Sequence, residues 1–352
     1  EKFETKKETE SIPLPDLFNE RERMLFGKEP CENEAGPILV GVPRVLYMHS
    51  QFPFWKTFLN ELNTPFIISD WTNKEILASS ADTQNAETCL PAKITQGHII
   101  NLIKKKVTHI LFPSVITLGG ECPEGVKNYS CPLVQTAPQM ANAALHEELK
   151  KNSIELITPE IHLQDGSYKR LINELTKTGH SLKVPGKAVK EAVEKAFQTQ
   201  KDFNEAVIQR GKEILSMIEE KKIKAVVIIS RPYNGCDCGL NFNLPQKLKE
   251  MGVVAIPMDF LPYDRAGTVY EKNMYWKSGQ EFLRVSTFIK GKKELPAIHL
   301  SNFKCGPDSF TSHFLRRKFE NHPFLELELD EHNADAGFIT RCEAFFDSIE
   351  HR

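Results

Sequence analysis

The sequence predicts an α/β fold of two lobes with mostly parallel sheets, joined by a helical connector. Three observations predict it. Short apolar runs alternate with helical patterns over residues 37–159 and again over 223–352, and such alternation gives parallel sheets covered by helices on both faces. Between these stretches, residues 160–222 carry apolar side chains at helical spacing. A chain of 352 residues is also long enough for two cores.

Residues 1–36 are charged and poor in apolar side chains, so they read as a linker to an upstream domain or the end of an expressed fragment. Ile38-Leu-Val-Gly-Val42, ended by Pro43, is a buried-strand run. Phe52–Leu62 reads as an aromatic-rich helix, and Pro65-Phe-Ile-Ile-Ser69 as the next strand. Pro91 opens a helix to about Lys105, near whose first turn a missing N–H costs nothing. Strands are expected at His109–Phe112, Pro132–Gln135 and Glu155–Ile157, with a helix from Gln139 to Lys150. In the connector, Val189, Val193, Ala196, Phe197, Val207, Ile208, Leu215 and Ile218 form one helical face. The second lobe offers strands at Ala225–Ile229, Val253–Ile256, Ala297–Leu300 and Phe324–Leu327. Its helices are expected near Leu244–Met251, Tyr275–Ile289, Asp308–Glu320 and Asp335–Ile349.

A formal net charge of -2 and a pI near 6.7 give no general attraction to nucleic acid or an anionic membrane. Runs such as Ala225–Ile229 are too short to span a bilayer, and no signal peptide opens the chain. Eight unevenly spaced cysteines are too few for a disulfide scaffold, which leaves reduced thiols in a cytoplasm as the expectation. The phosphate loop, the dinucleotide fingerprint, the His-Glu-x-x-His helix, the serine-hydrolase elbow and the ferredoxin cysteine run are all missing. The chain has no visible means of hydrolysing ATP.

Three cysteines in short loops carry the candidate chemistry. Cys305, in Asn302-Phe-Lys-Cys-Gly-Pro-Asp-Ser309, follows a strand and precedes a helix start that Asp308 or Ser309 can cap. A thiolate there meets the positive end of the helix dipole, although a buried structural cysteine fits the same pattern. Cys89, in Glu87-Thr-Cys-Leu-Pro-Ala-Lys93, has a similar setting, with His98 further along the helix. Glu87 can act as an acid/base group there, or be a solvated residue at a helix start. Cys131-Pro132 sits where a strand is expected to open, either as a ligand or packed at the strand end. Cys236-Asp-Cys238 lies in a glycine-containing loop a ligand can reach, at a spacing that chelates one ion poorly. Cys122 lies in a loop-like stretch, while Cys31 and Cys342 read as structural. The cluster Asp330-Glu-His-Asn-Ala-Asp335 is either a metal or substrate loop or an acidic helix start.

Several segments match a family in order. They are Gly41-Val-Pro-Arg44 with Phe52-Pro-Phe-Trp55, Glu87-Thr-Cys89 with Pro91-Ala-Lys93 and Gly97-His98, and Cys131-Pro132 with Gln135. Further on come Ser230-Arg-Pro-Tyr233, Tyr275-Trp276 with Gly279-Gln280, Cys305-Gly-Pro-Asp-Ser-Phe310, Asp330-Glu-His332 with Ala336-Gly337, and Thr340-Arg-Cys-Glu-Ala-Phe345. Over most of its length the chain resembles the acyl-CoA dehydratase activase-related proteins, a domain often found downstream of ATPase modules. These are related to 2-hydroxyacyl-CoA dehydratase subunits and double-cubane cluster proteins.

The resemblance implies two flavodoxin-like or Rossmann-like lobes with an iron–sulfur cluster between them, held by Cys89, Cys131 and Cys305. That cluster is a 4Fe–4S group with an open iron, or an 8Fe–9S double cubane, which would bring in further ligands from Cys236 and Cys238 and from Cys122, a residue with no counterpart in the family. The Cys236-Asp-Cys238 segment departs from the family, where Gly-Asp-rich sequence is usual after Arg-Pro-Tyr. Glu87, Lys93, His98 and Arg231 are then the catalytic candidates, tuning the potential or handling protons. The implied partner is an ATP-dependent activase or reductase module, on another chain or upstream, passing low-potential electrons to a small molecule or acyl-thioester. A homodimer, a non-catalytic scaffold module and a cysteine zinc site are the other expectations.

Overall fold

The computed structural model describes residues 14–27, 37–83, 87–119, 126–164, 166–263, 271–292, 294–330 and 335–351. Helix α1 (Leu17–Phe26) comes first, capped by Asp16, whose carboxylate accepts the Asn19 N–H at 3.0 Å. The first alternation then runs β1 (Val40–Val42), α2 (Met48–Glu61), β2 (Phe66–Ile68), α3 (Lys74–Asp82), α4 (Leu90–Lys104) and β3 (His109–Leu111). It continues through β4 (Ser114–Thr117), α5 (Pro132–Ala144), α6 (His146–Lys151), β5 (Glu155–Ile157) and β6 (Glu160–His162). Helices α7 (Tyr168–Ser181) and α8 (Gly186–Lys221) lead to the second alternation. That comprises β7 (Ala225–Ile229), the single turn α9 (Pro232–Gly235), α10 (Leu244–Glu250), β8 (Val254–Pro257) and a 3-10 turn at Met258–Phe260. It closes with α11 (Lys277–Lys290), β9 (Ala297–Asn302), α12 (Gly306–Lys318), β10 (Phe324–Leu329) and α13 (Asp335–Glu350).

The strands form two four-stranded parallel sheets, ordered β2-β1-β3-β5 and β10-β9-β7-β8, with β4 and β6 as a small parallel pair. The expected α/β class with parallel sheets is therefore borne out. In each sheet the chain winds outward from a central strand and returns on its other side. This places a crevice at the carboxyl ends of β1 and β3 in one sheet and of β7 and β9 in the other, where open α/β sheets collect ligands.

Several local expectations change. Pro132–Gln135 is the first turn of α5 rather than a strand. Cys131 takes an extended conformation as its N-cap, and Pro132 fits the first helical position, whose N–H would be unpaired anyway. The helix expected over Gln139–Lys150 divides at Leu145 into α5 and α6, and β6 falls inside the stretch expected to be helical connector. Part of the expected linker is α1, which buries Leu17, Leu25 and Phe26 in the main core. Arg21 on that helix is 1% exposed and pairs with Asp259 at 2.7 Å, tying the segment to the end of β8.

Helix α8 has 36 residues, about 54 Å at 1.5 Å per residue. Its first half packs on α2 and α7, with Phe197 edge-on to Phe54 at 5.1 Å. Its second half crosses the Met258–Phe260 turn at Gly211, where an added Cβ would lie 1.6 Å from the Phe260 carbonyl oxygen. Only glycine permits that approach.

Candidate functional site

Cys89, Cys131 and Cys305 are the N-caps of α4, α5 and α12. Each holds an extended backbone, and each is followed within two residues by a proline that removes an N–H from the first turn. All three line one small cavity of about 10 Å³, together with Leu46, Leu133, Val134, Arg231, Tyr233, Asn234 and Asn302. Arg231 and Asn234 follow β7 and Cys305 follows β9, so the second sheet contributes its crevice. Leu46, after β1, comes from the first. Leu46 and Lys304 have positive φ, 49° and 64°, a conformation that side chains other than glycine adopt at a cost. The backbone is thus strained beside the cavity and next to Cys305.

Arg231 is 2% exposed. Its Nη1 donates to Asp308 Oδ2 at 2.6 Å and lies 3.4 Å from the Cys305 Sγ. The Ser301 hydroxyl donates to the same Asp308 oxygen at 2.6 Å. Asp308, expected as a possible helix cap, is instead the carboxylate that holds Arg231 in place. Burial pushes its carboxyl up, but Arg231 overrides this and holds it down to about 2. Burial likewise pushes the Cys89 thiol up to about 11 and the Cys305 thiol up to about 12, against the pull of Arg231. Arg231 Nη2, Asn234 Oδ1, Asn302 Oδ1 and Asp308 Oδ1 are buried without a hydrogen-bond partner among the described residues. Orphaned polar atoms of this kind are uncommon in a finished core. No group of three or more His, Cys, Asp or Glu among the described residues is placed to hold a metal ion as the cavity stands.

The other sequence candidates scatter. Arg231 alone of the four proposed catalytic residues lines this cavity. Glu87 is exposed and pairs with Lys304, linking the segment before Cys89 to the one before Cys305. Lys93 is buried on α4 and does not line the cavity. His98 belongs to a separate buried chain. The Thr72 hydroxyl donates to Asp237 at 2.5 Å and so accepts from His98 Nε2 at 3.0 Å, while His98 Nδ1 accepts from Ser69 at 2.7 Å. These bonds fix a neutral imidazole, and burial lowers its pKa to about 3. Cys236 and Cys238 line a different cavity of about 520 Å³ beside α1. Cys122, Cys31 and residues 331–334 of the acidic cluster lie outside the described residues, and Cys342 is buried in the second core. Tyr233 and Asn302 stand in the sequence only as parts of the Ser230–Tyr233 and Asn302–Ser309 motifs, with no role of their own, and Asn234 carries no signal beyond its place after Arg231.

Fold and site together define a two-lobed α/β protein with a cysteine-lined cavity at the strand ends. Residues 39–261 match the CoA enzyme activase uncharacterised domain (DUF2229), and the chain belongs to that family. The resemblance read from the sequence is borne out at this level. The matched stretch contains Cys89, Cys131 and Arg231, and ends before Cys305. No curated protein matches the chain. Among solved structures, a laminin-binding adhesin from Streptococcus agalactiae is 12% identical, covering 89% of this chain and 99% of its own, with a TM-score of 0.25. The C-terminal domain of glucosamine-fructose-6-phosphate aminotransferase from Francisella tularensis is also 12% identical, covering 94% and 86%, with a TM-score of 0.23. At these scores neither likeness bears on function. No helix among the described residues is long and apolar enough to cross a membrane.

Proposed function

We propose that this chain is the iron–sulfur-holding redox component of an activase-type system, with Cys89, Cys131 and Cys305 as the thiolate ligands. The observation that carries this is the meeting of three helix-capping cysteines, 216 residues apart from first to last, on one cavity. The donors suit the group in kind, since soft thiolates are what such clusters take. The orphaned atoms of Arg231, Asn234 and Asn302 give it polar neighbours. A cavity of about 10 Å³ has room for about one water, so loading requires the three caps to draw apart.

When bound, the group supplies one-electron chemistry and an iron position open to a further ligand. The chain's own residues prepare the setting. Arg231 places positive charge 3.4 Å from the Cys305 sulfur, favouring the thiolate. Asp308 and Ser301 hold that guanidinium still. The Ala92 and Asp308 backbone N–H groups, in the first turns of α4 and α12, favour the Cys89 and Cys305 thiolates. Leu46, Leu133 and Val134 keep water out. Both thiols start protonated, so ligation releases protons and is favoured by higher pH. An ATP-driven partner supplies the low-potential electron, and a small molecule or acyl-thioester receives it.

Iron and acid-labile sulfide per chain, measured after anaerobic purification and reconstitution, test this. Roughly four of each are expected for one cubane, with a visible band bleached by dithionite. C305S and C89S should each lose most of both. Full iron in either variant, or a colourless wild-type protein after reconstitution, overturns the assignment.

A further inference from the structure

A second cavity of about 620 Å³ lies against the first, and Arg231 lines both. Its volume falls in the range of small-ligand sites, about 300–1,000 Å³. Aromatic side chains contribute much of its wall, including Tyr47, Phe197, Phe203 and Phe282. One charged group in it is unaccounted for. Lys277 is 6% exposed and has no ion pair or side-chain hydrogen bond among the described residues. Lys277 is thus held almost wholly inside the wall, with its ammonium at the cavity surface and no side-chain counter-charge among the described residues. Lys277 is also the first residue of α11, a helix of 14 residues whose N-cap, Trp276, provides no side-chain bond. Next to it Ser278, 5% exposed, brings its hydroxyl within 3.3 Å of the Tyr47 hydroxyl. The Arg231 Nη2 group is a second unpartnered donor.

The acidic side chains of this cavity do not answer that charge. Asp259 is taken by Arg21 at 2.7 Å, and Glu281 stands one turn along α11 without closing a pair with Lys277. We infer that the cavity binds a small organic anion, its carboxylate or phosphate on Lys277, Ser278 and the N-terminus of α11, and its apolar body on the aromatic wall. An anion there meets both the helix dipole and an unpaired ammonium, which is the usual chemistry of anion capture at a helix start. This inference rests on the second cavity alone and stands whether or not the cysteines hold a cluster.

The test is calorimetric titration of the purified full chain with benzoate, phenyl phosphate and the neutral isostere benzamide. Benzoate or phenyl phosphate should bind at least tenfold more tightly than benzamide, and the better of the two identifies the anionic group. K277Q should weaken the anion about tenfold, K277R should retain most of the affinity, and E281Q should tighten binding a few-fold by removing a nearby like charge. Circular dichroism checks that each variant is folded. Equal binding of benzamide, no binding of any probe, or an unchanged affinity in folded K277Q overturns the inference, and weaker binding in E281Q points to a zwitterion instead. Repeating the titration on C305S separates this site from the cysteine cavity, since a failed cluster assignment leaves these affinities unchanged.

Discussion

Around His98, the polar atoms use each other up: Ser69 donates to Nδ1, Nε2 donates to Thr72, and Thr72 donates to Asp237. Around Cys305, the chain from Ser301 through Asp308 to Arg231 stops short, leaving Arg231 Nη2 and Asp308 Oδ1 without partners beside three thiols. Both regions are buried, and both draw on residues far apart in sequence. The first is a closed hydrogen-bond chain of the sort that fixes a core. The second leaves polar atoms unpartnered among the described residues, beside three thiols. A buried histidine is therefore a weaker functional sign here than an incompletely satisfied arginine. Even the closed network has an edge, since His49 stands 3.6 Å from Asp237 without a hydrogen bond.

The contrast can be broken most sharply at Arg231. R231M leaves Asp308 buried with Ser301 as its remaining side-chain partner and should cost about 3–5 kcal/mol. The double variant R231M/D308L should recover a good part of that, because no charge is then stranded. Urea unfolding of both variants checks this; equal losses would mean that the stranded Asp308 charge is not what R231M costs.

Acid separates the two regions next. The unfolded chain protonates His98 below about pH 6.5, whereas the folded protein resists until about pH 3. Stability should therefore fall as pH drops through that window, by on the order of 4 kcal/mol from this group. Asp308, held down to about 2, adds a further loss only below its unfolded value near 4. The cysteines act at the other end. Their thiols resist ionisation up to about 11 and 12, so stability falls as pH rises above roughly 8.5 in the metal-free protein. Urea midpoints from pH 4 to 10 should trace a dome, and H98Q should flatten its acid side.

H98Q should itself cost about 1–3 kcal/mol at pH 7, from polar groups left unpaired, while iron retention stays at the wild-type level. Iron lost in a folded H98Q protein would return His98 to the functional site. The smallest effect is expected from E87Q, which removes an exposed ion pair with Lys304 and should change stability by less than about 1 kcal/mol.

The strands of the two four-stranded sheets were legible from short apolar stretches, most clearly β7, an unbroken apolar run buried along its length. Strands β4 and β6 are short, mix polar with apolar residues and give no such signal. The cysteine caps were half legible. Cys89 and Cys305 show a loop, a proline and then helical spacing, but Pro132-Leu-Val-Gln135 is too short for strand and helix periods to be told apart. Helix α1 was hidden because Leu17, Phe18, Leu25 and Phe26 are spread among charges, and Arg21 gains its meaning only from Asp259, 238 residues away. The pairing of Arg231 with Asp308 is non-local in the same way. So is Lys277, whose burial without a counter-charge among the described residues no local pattern announces.

The contact at Gly211 has a mechanical side. With no space for even a methyl group against Phe260, that point of α8 is where the helix would turn if it moved as a rigid rod. From there to the start of the helix at Gly186 is about 40 Å, so a pivot of about 3° swings the far end by roughly 2 Å. A rigid helix of this length would turn a small rotation at one end into ångström-scale travel at the other, without a hinge inside the helix.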